Sequence, residues 1–343
     1  MRSKARYLSL SLVAVLVLTG CTSVTNVANT FRAVKVEPPE KNILSGRVGG
    51  NGPVLIVKID DTNSARPQIG LEDADVVYIE QVEGGLTRLA AVFSSVIPMR
   101  IGPVRSARIS DIEIMAQYGR VAFAYSGAQH KLLPVISAAN LQNLGAQIQS
   151  PTIYTNDLAR QAPHSMVLRA DLLMQKIIDK GYIVDSAKSV GWSFGESESP
   201  GVVISAAVLR WPAATYSVVW SSQENRWHLS YNNVPNLSDT GKILGPTTFV
   251  IQMVSITPSE YGDKFGGVTP FTNTIGTGTG YILRDGKTFT ATWSRPSAEV
   301  GTTWRSLDGS EIAFAPGQVW VALVDTEPDF TLIPKRASPS ATK

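Results

Sequence analysis

The sequence predicts an α+β protein: an N-terminal α/β domain with a mixed sheet and flanking helices, then a C-terminal, mainly antiparallel β domain. Three observations carry this. Compact apolar runs such as Pro53–Ile59 suit strands buried on both faces. Segments between them, such as Ser110–Tyr118, space their apolar residues at the helical period. Beyond the Ser/Glu/Gly/Pro stretch Ser193–Gly201, short strand-like runs separated by Gly turns take over, as in a sandwich or barrel.

In chain order, Pro53–Ile59 reads as an inner strand, and Asp75–Val82 and Thr87–Phe93 around Gly84-Gly85 read as a β-hairpin. Ser110–Tyr118 reads as a helix with Asp111 near its start and Gly119 just past its end. Val121–Tyr125 is a further inner strand, and Lys131–Ala139 and Arg169–Lys180 are helical, the latter closed by Gly181. In the second half, Val202–Leu209, Tyr216–Ser221, Trp227–Tyr231 and Thr248–Val254 are strand-like. Asp285-Gly286-Lys287 joins Tyr281–Arg284 to Thr288–Trp293 in a hairpin, Asp308-Gly309 separates Trp304–Leu307 from Glu311–Phe314, and Val319–Val324 closes the series.

The first residues belong to no fold. Arg2, Lys4 and Arg6 precede an uncharged apolar run that ends Leu18-Thr19-Gly20-Cys21, and Cys21 is the only cysteine. A basic region, an apolar region and a small-residue site before cysteine describe a lipoprotein signal, with the thiol acylated (a palmitate-type modification) and Cys21 the new N-terminus. The run is too short for a spanning helix, which needs about 20 apolar residues. The chain therefore divides into a signal (1–20), a tether (21–45), an N-terminal domain (46–195), a C-terminal domain (200–334) and a tail (335–343), with separately folding halves joined near Ser193–Gly201. The expected location is the outer, extracytoplasmic face of the cell membrane, held by lipid.

The leader holds three of the 31 Lys and Arg residues, so the remainder balances the 28 Asp and Glu. A neutral exported chain argues against nucleic acid as a partner, because that contact rests on a Lys/Arg excess. With its one thiol acylated, the chain has neither a disulfide framework nor a cysteine nucleophile. Three scattered histidines, His130, His164 and His228, make a His-rich metal site improbable, and no cofactor motif survives inspection. Gly276–Gly280 lacks dinucleotide spacing and reads as a flexible turn or bulge, and Gly286-Lys287-Thr288 lacks the upstream glycine of a phosphate loop. Gly191-Trp192-Ser193-Phe194-Gly195 has nucleophile-elbow letters, but Glu196–Gly201 after it cannot start a helix, so it reads as linker.

A density of charge in the first half remains. Asp60 and Asp61 follow a strand end, where ligands gather in α/β sheets. Arg105 and Arg108 stand three apart near a helix start, a spacing suited to grasping a carboxylate or phosphate. With Arg66, Glu80, Glu83, Arg88 and His164 they form the candidate ligand-binding set, in which Asp60, Arg66, Arg105, Arg108 and His164 are expected to lie together. Internal pairing of the arginines with Asp60, Glu80 or Glu83 is the equal alternative.

The series VKIDDTNSARPQIGLEDADVVYIEQVEGGLTRLAAVF, IGPVRSARI and APHSM, with YNNVPNLSD, VIQMVSI, GTGTGYILRDGKTFTATW and PGQVWVALV in the second half, resembles the YerB-like lipoproteins of Gram-positive bacteria. The resemblance spans about Pro53 to Val324 and implies a two-domain, lipid-anchored envelope protein of unestablished role, with no catalytic residues to carry over. Two departures are Asp61, where the family commonly has Asn, and Leu237, where a His preceding Asp239 is usual. The expected function is binding or scaffolding in the cell envelope, with wall polymer or a wall-synthesis protein as partner. The alternative is a wall glycan or peptide hydrolase or transferase that pairs Asp60 with Glu80 or Glu83.

Overall fold

The structure, a computed structural model, describes residues 39–197, 200–263 and 266–333. The leader, Cys21, the tether up to residue 38, two residues of the Ser193–Gly201 stretch and the tail lie outside the described residues.

The predicted strands form. In the first half they are β1 (Leu55–Asp60), β2 (Val76–Gln81), β3 (Thr87–Phe93), β4 (Val121–Ala124) and β5 (Leu141–Asn143), with α1 (Ile109–Ala116), α2 (Leu133–Ala138) and α3 (Ala170–Lys180). The second half adds β6 (Val202–Trp211), β7 (Ala214–Ser221), β8 (Arg226–Tyr231), β9 (Thr248–Met253), β10 (Gly276–Arg284), β11 (Lys287–Arg295) and β12 (Val319–Val324). Gly181 ends α3 in the left-handed conformation (φ 63°), the glycine stop read from the sequence.

One sheet runs in the order β8-β7-β6-β11-β10-β9-β12-β2-β3-β1-β4-β5. Its middle joins the two halves of the chain. β12 pairs in parallel with β9 on one side and with β2 on the other, Val319 opposite Val76 and Ala322 opposite Ile79. Every residue of β12 is buried, so this apolar run needs a neighbour on each edge and cover on each face. Gln318 reinforces the joint: its side-chain amide donates to Leu71 O and Ala74 O, both at 2.9 Å, and its Oε1 accepts from Trp320 Nε1.

The expectation of two separately folding units is therefore corrected. The change of sequence pattern near Ser193–Gly201 is real, but the core does not divide there. The residues from Pro39 onward cluster as one unit. The physical reason is that β12, taken as the closing strand of the second half, completes the sheet of the first.

The central sheet carries two apolar layers. On one face, β6–β8 fold back over it: Trp211 Nε1 donates to Leu323 O (3.0 Å), Trp227 Nε1 donates to Leu283 O (3.1 Å), and the Tyr216 ring meets Trp320. On the other face, Ile114, Met115 and Tyr118 from α1 and its end pack with Ile56, Tyr78, Val92 and Phe123. Two further expectations change. Gly276–Gly280 is no turn but the first part of β10, where the bare glycine edge lets indoles lie flat: a Cβ on Gly278 would sit 2.7 Å from Trp293, and one on Gly280 would sit 3.0 Å from Trp304. Glu311–Phe314 makes only isolated bridges, to Arg305 and Phe194, because it runs outside the sheet edge.

A shared sheet predicts shared unfolding. Far-ultraviolet circular dichroism and tryptophan fluorescence should report one coincident thermal transition, and a fragment ending at residue 197 should not fold, since it leaves the β2 edge bare. Two separated transitions, or a soluble folded fragment, would contradict this.

Candidate functional site

The sheet register places the charged residues. In adjacent strands Asp60, Arg88 and Glu80 stand opposite one another, so their side chains leave the same face. Lys58, two residues before Asp60, shares that face. Glu83 sits in the turn between β2 and β3, where Gly84 and Gly85 both take positive φ. A side chain at Gly85 would strike Pro212 at 2.4 Å, so the turn is pressed against the second half of the chain. Arg105 and Arg108 lie on the loop that leads into α1, and Arg108 caps that helix: its backbone N–H donates to Asp111 Oδ2 at 2.6 Å.

These positions form three linked groups. In the first, Asp60 is buried and receives Thr62 N and Oγ1 on one oxygen, while His164 Nδ1 (2.7 Å) and Arg105 Nε (3.0 Å) meet the other. Burial alone would raise the Asp60 carboxyl, but Arg105, Thr62 and His164 together hold it below its ordinary value. Asp61, wholly buried beside it, accepts from Tyr216 Oη (2.7 Å), Thr87 Oγ1 and Arg66 Nη2 (2.8 Å), and the Arg66 guanidinium lies 3.8 Å over the Tyr231 ring. Here burial prevails and the Asp61 carboxyl is raised. Arg66 is thus a brace between the halves of the chain.

In the second group, Lys58 Nζ is fully buried between Glu80 Oε1 and Asp111 Oδ1. Glu80 has no exposed surface, and its Oε2 has no hydrogen-bond partner.

The third group lines a pocket of about 590 Å³. Arg108 donates through Nε and Nη2 to Glu83 Oε2 (2.9 and 2.6 Å), and Thr269 Oγ1 donates to Glu83 Oε1. Burial would raise Glu83, but Arg108 and then Thr269 hold it low. Arg88 differs. It is only 9% exposed, its Nη1 donates to Ser106 O at 2.8 Å, and no carboxylate among the described residues comes within ion-pair distance. Arg108 Nη1 approaches the same carbonyl at 3.4 Å, so two guanidiniums converge on one oxygen. Burial first, then the charges of Arg108 and Arg105, push Arg88 down to about 9. Glu83 and Asp60 pull the other way, and the guanidinium stays protonated at neutral pH.

Of the candidate residues, Glu83, Arg88, Arg105 and Arg108 meet at this pocket. Asp60 and His164 gather beside it through Arg105, and Arg66 belongs to the Asp61 brace. One expectation is corrected. Glu80 is sealed beneath the pocket rather than on it, because the sheet face that bears it is covered by α1. Of the five residues expected together, Asp60, Arg105 and His164 meet directly, Arg66 pairs with the adjacent Asp61, and Arg108 pairs with Glu83. Tyr261, Asp263 and Thr269 of the second half and Gln129 and His130 of the first also line it. They sit in polar segments with no motif, so no sequence signal marked them.

Both halves of the chain match described domains. Residues 44–183 match "Protein of unknown function (DUF3048) N-terminal domain", and residues 207–321 match "Protein of unknown function (DUF3048) C-terminal domain". The chain belongs to the DUF3048 family. A relative from Bacillus subtilis (strain 168), described as "Putative lipoprotein YerB", is 31% identical over 133 residues, 38% of this chain. The matched segment spans 39% of that relative's own length. The crystal structure of the Bacillus subtilis YerB protein aligns with a TM-score of 0.71 at 20% identity, covering 84% of this chain and 99% of that one, and so shares the fold.

The two arginines behave differently on removal. Arg108→Ala leaves Glu83 buried and unpaired and should cost about 2–4 kcal/mol in chemical denaturation, whereas Arg88→Met removes an unbalanced charge and should be neutral or stabilising. Glu83 and Asp60 are held below their unfolded values. Their contribution is complete above the ordinary carboxylate range near pH 4 and is lost as pH falls through the lower folded values. Arg108→Ala should therefore flatten the acid limb of the stability curve. An unchanged limb, or a large loss from Arg88→Met, would refute this assignment.

Proposed function

We propose that this protein is a lipid-anchored protein of the cell envelope that binds an anionic group, a carboxylate or a phosphate ester, in the Arg88 pocket. One observation carries the reading: a guanidinium nine-tenths buried, with no ion pair among the described residues, converging with Arg108 on one carbonyl oxygen in a shared pocket. Burying an unbalanced charge is expensive, and an anion bound between Arg88 and Arg105 would supply the missing partner. Val82, Leu86, Ile109 and Leu132 give the pocket apolar wall to hold the body of such a ligand. Anionic wall polymer, or an acidic segment of a wall-synthesis protein, has this chemistry.

The anchor is part of the same reading. It rests on Leu18-Thr19-Gly20-Cys21 behind a basic and apolar leader, and on the lipoprotein name of the Bacillus subtilis relative. Hydrolysis by paired carboxylates has less support: Glu80 is sealed with Lys58, and Asp60 and Glu83 are each committed to an arginine.

Two measurements test the proposal. Sulfate, diethyl phosphate and acetate should raise the melting temperature of the wild type saturably, and Arg88→Met should bind them about 10- to 100-fold more weakly, the value of one charge-assisted hydrogen-bonded contact. Equal binding by the variant rejects the site. Mass spectrometry of the membrane-extracted protein should find the N-terminus at an acylated Cys21, and Cys21→Ala should release the protein from the membrane. An unmodified thiol rejects the anchor.

A further inference from the structure

We propose that occupation of the Arg88 pocket by an anion draws a proton onto Glu80, so that anion binding and protonation of this buried carboxyl are one linked event. The inference rests on the anion-site reading above and concerns its regulation.

A continuous set of contacts connects the two places. Arg108 lines the pocket, and its backbone N–H is held by Asp111 Oδ2 at 2.6 Å. The other Asp111 oxygen accepts from Lys58 Nζ at 2.8 Å, and Lys58 in turn holds Glu80. Arg88 stands opposite Glu80 in the β2–β3 register. The charges near Glu80 are therefore Lys58 from β1, Arg88 from β3, Asp111 from α1 and Arg108 at its cap. On its own strand, Tyr78 is neutral and bonded to Tyr118 and Gln117.

Arg105 and Arg108 pair with Asp60 and Glu83, Lys58 answers two carboxylates, and Arg88 makes no ion pair among the described residues. Arg108, which shares the pocket wall with Arg88, is also one of the cations that hold Glu80 down, so the positive charge of the pocket helps keep Glu80 ionised. An anion seated on Arg88 offsets that charge. The surplus carboxylate then lies in a dry interior, where an isolated charge is costly, and Glu80 Oε2 has no donor to hold it. Protonating Glu80 is the direct remedy, and its Oε1 can still accept from Lys58. Burial and then Asp111 already push Glu80 upward against the pull of Lys58 and Arg108, so the proton is within reach near neutral pH. By linkage, an anion that raises Glu80 further must bind more tightly as pH falls.

The test is the affinity for sulfate and for diethyl phosphate, whose own charges are fixed, between about pH 6.5 and 8.5. Proton uptake weakens wild-type binding as pH rises above neutrality, by at most the about tenfold per pH unit that one whole proton would give. Glu80→Gln keeps an oxygen for Lys58 but cannot titrate, and its affinity should be level across this range. A level wild-type profile, or an unaltered slope in Glu80→Gln, overturns the linkage while leaving the anion site intact. Absence of binding at every pH overturns the site and the linkage with it. Should Glu80→Gln fail to fold, wild-type calorimetry at the alkaline end in two buffers of different ionisation enthalpy decides. Uptake near one proton per anion supports the linkage, and zero uptake rejects it.

Discussion

The parallel pairing of β12 with β2 is the contact on which the rest of the molecule depends. It closes the apolar layer under β6–β8 and the layer under α1 at the same time, because both layers lean on the same central strands. The pocket depends on it too. Glu83, Arg88 and Arg108 come from the first half, and Tyr261 and Thr269 from the second, and only the common sheet brings them to one wall. Gln318 pins the joint by donating to two carbonyls that precede β2.

The charged cluster follows from where β1–β3 stop being apolar. Along the face covered by α1, the cross-strand rows change from Ile56, Val92 and Val76 to Lys58, Ala90 and Tyr78, then to Asp60, Arg88 and Glu80. Buried charges persist only when answered, and this cluster answers all but one of them locally. Its arginines therefore hold the sheet together and line a cavity at once.

Local signals were legible. The central strands could be read from buried apolar runs, α1 from its period with Asp111 at its start, and the β2–β3 hairpin from Gly84-Gly85. What periodicity could not carry was partnership. Nothing in Val319–Val324 says that its second neighbour lies more than two hundred residues away, because a strand buried on both faces looks the same whichever sheet it completes. The Gly276–Gly280 run misled for a related reason: its glycines answer the indoles of Trp293 and Trp304, a long-range demand with no local trace. The same holds for the site. Residue type and strand-end position picked out Arg88, Arg105, Arg108 and Glu83, whereas Glu80 was misplaced because its sequence does not state which face α1 covers.

The position of β12 also bears on the order of assembly. This strand follows β2 by more than two hundred residues yet occupies the middle of the sheet, between β9 and β2. A nascent chain emerging from its N-terminus holds β2 with one edge open until β12 has appeared. Closure then requires contacts between residues remote in sequence, which slows folding. The last step in closing the central sheet thus waits on a segment remote in sequence from the strand it completes.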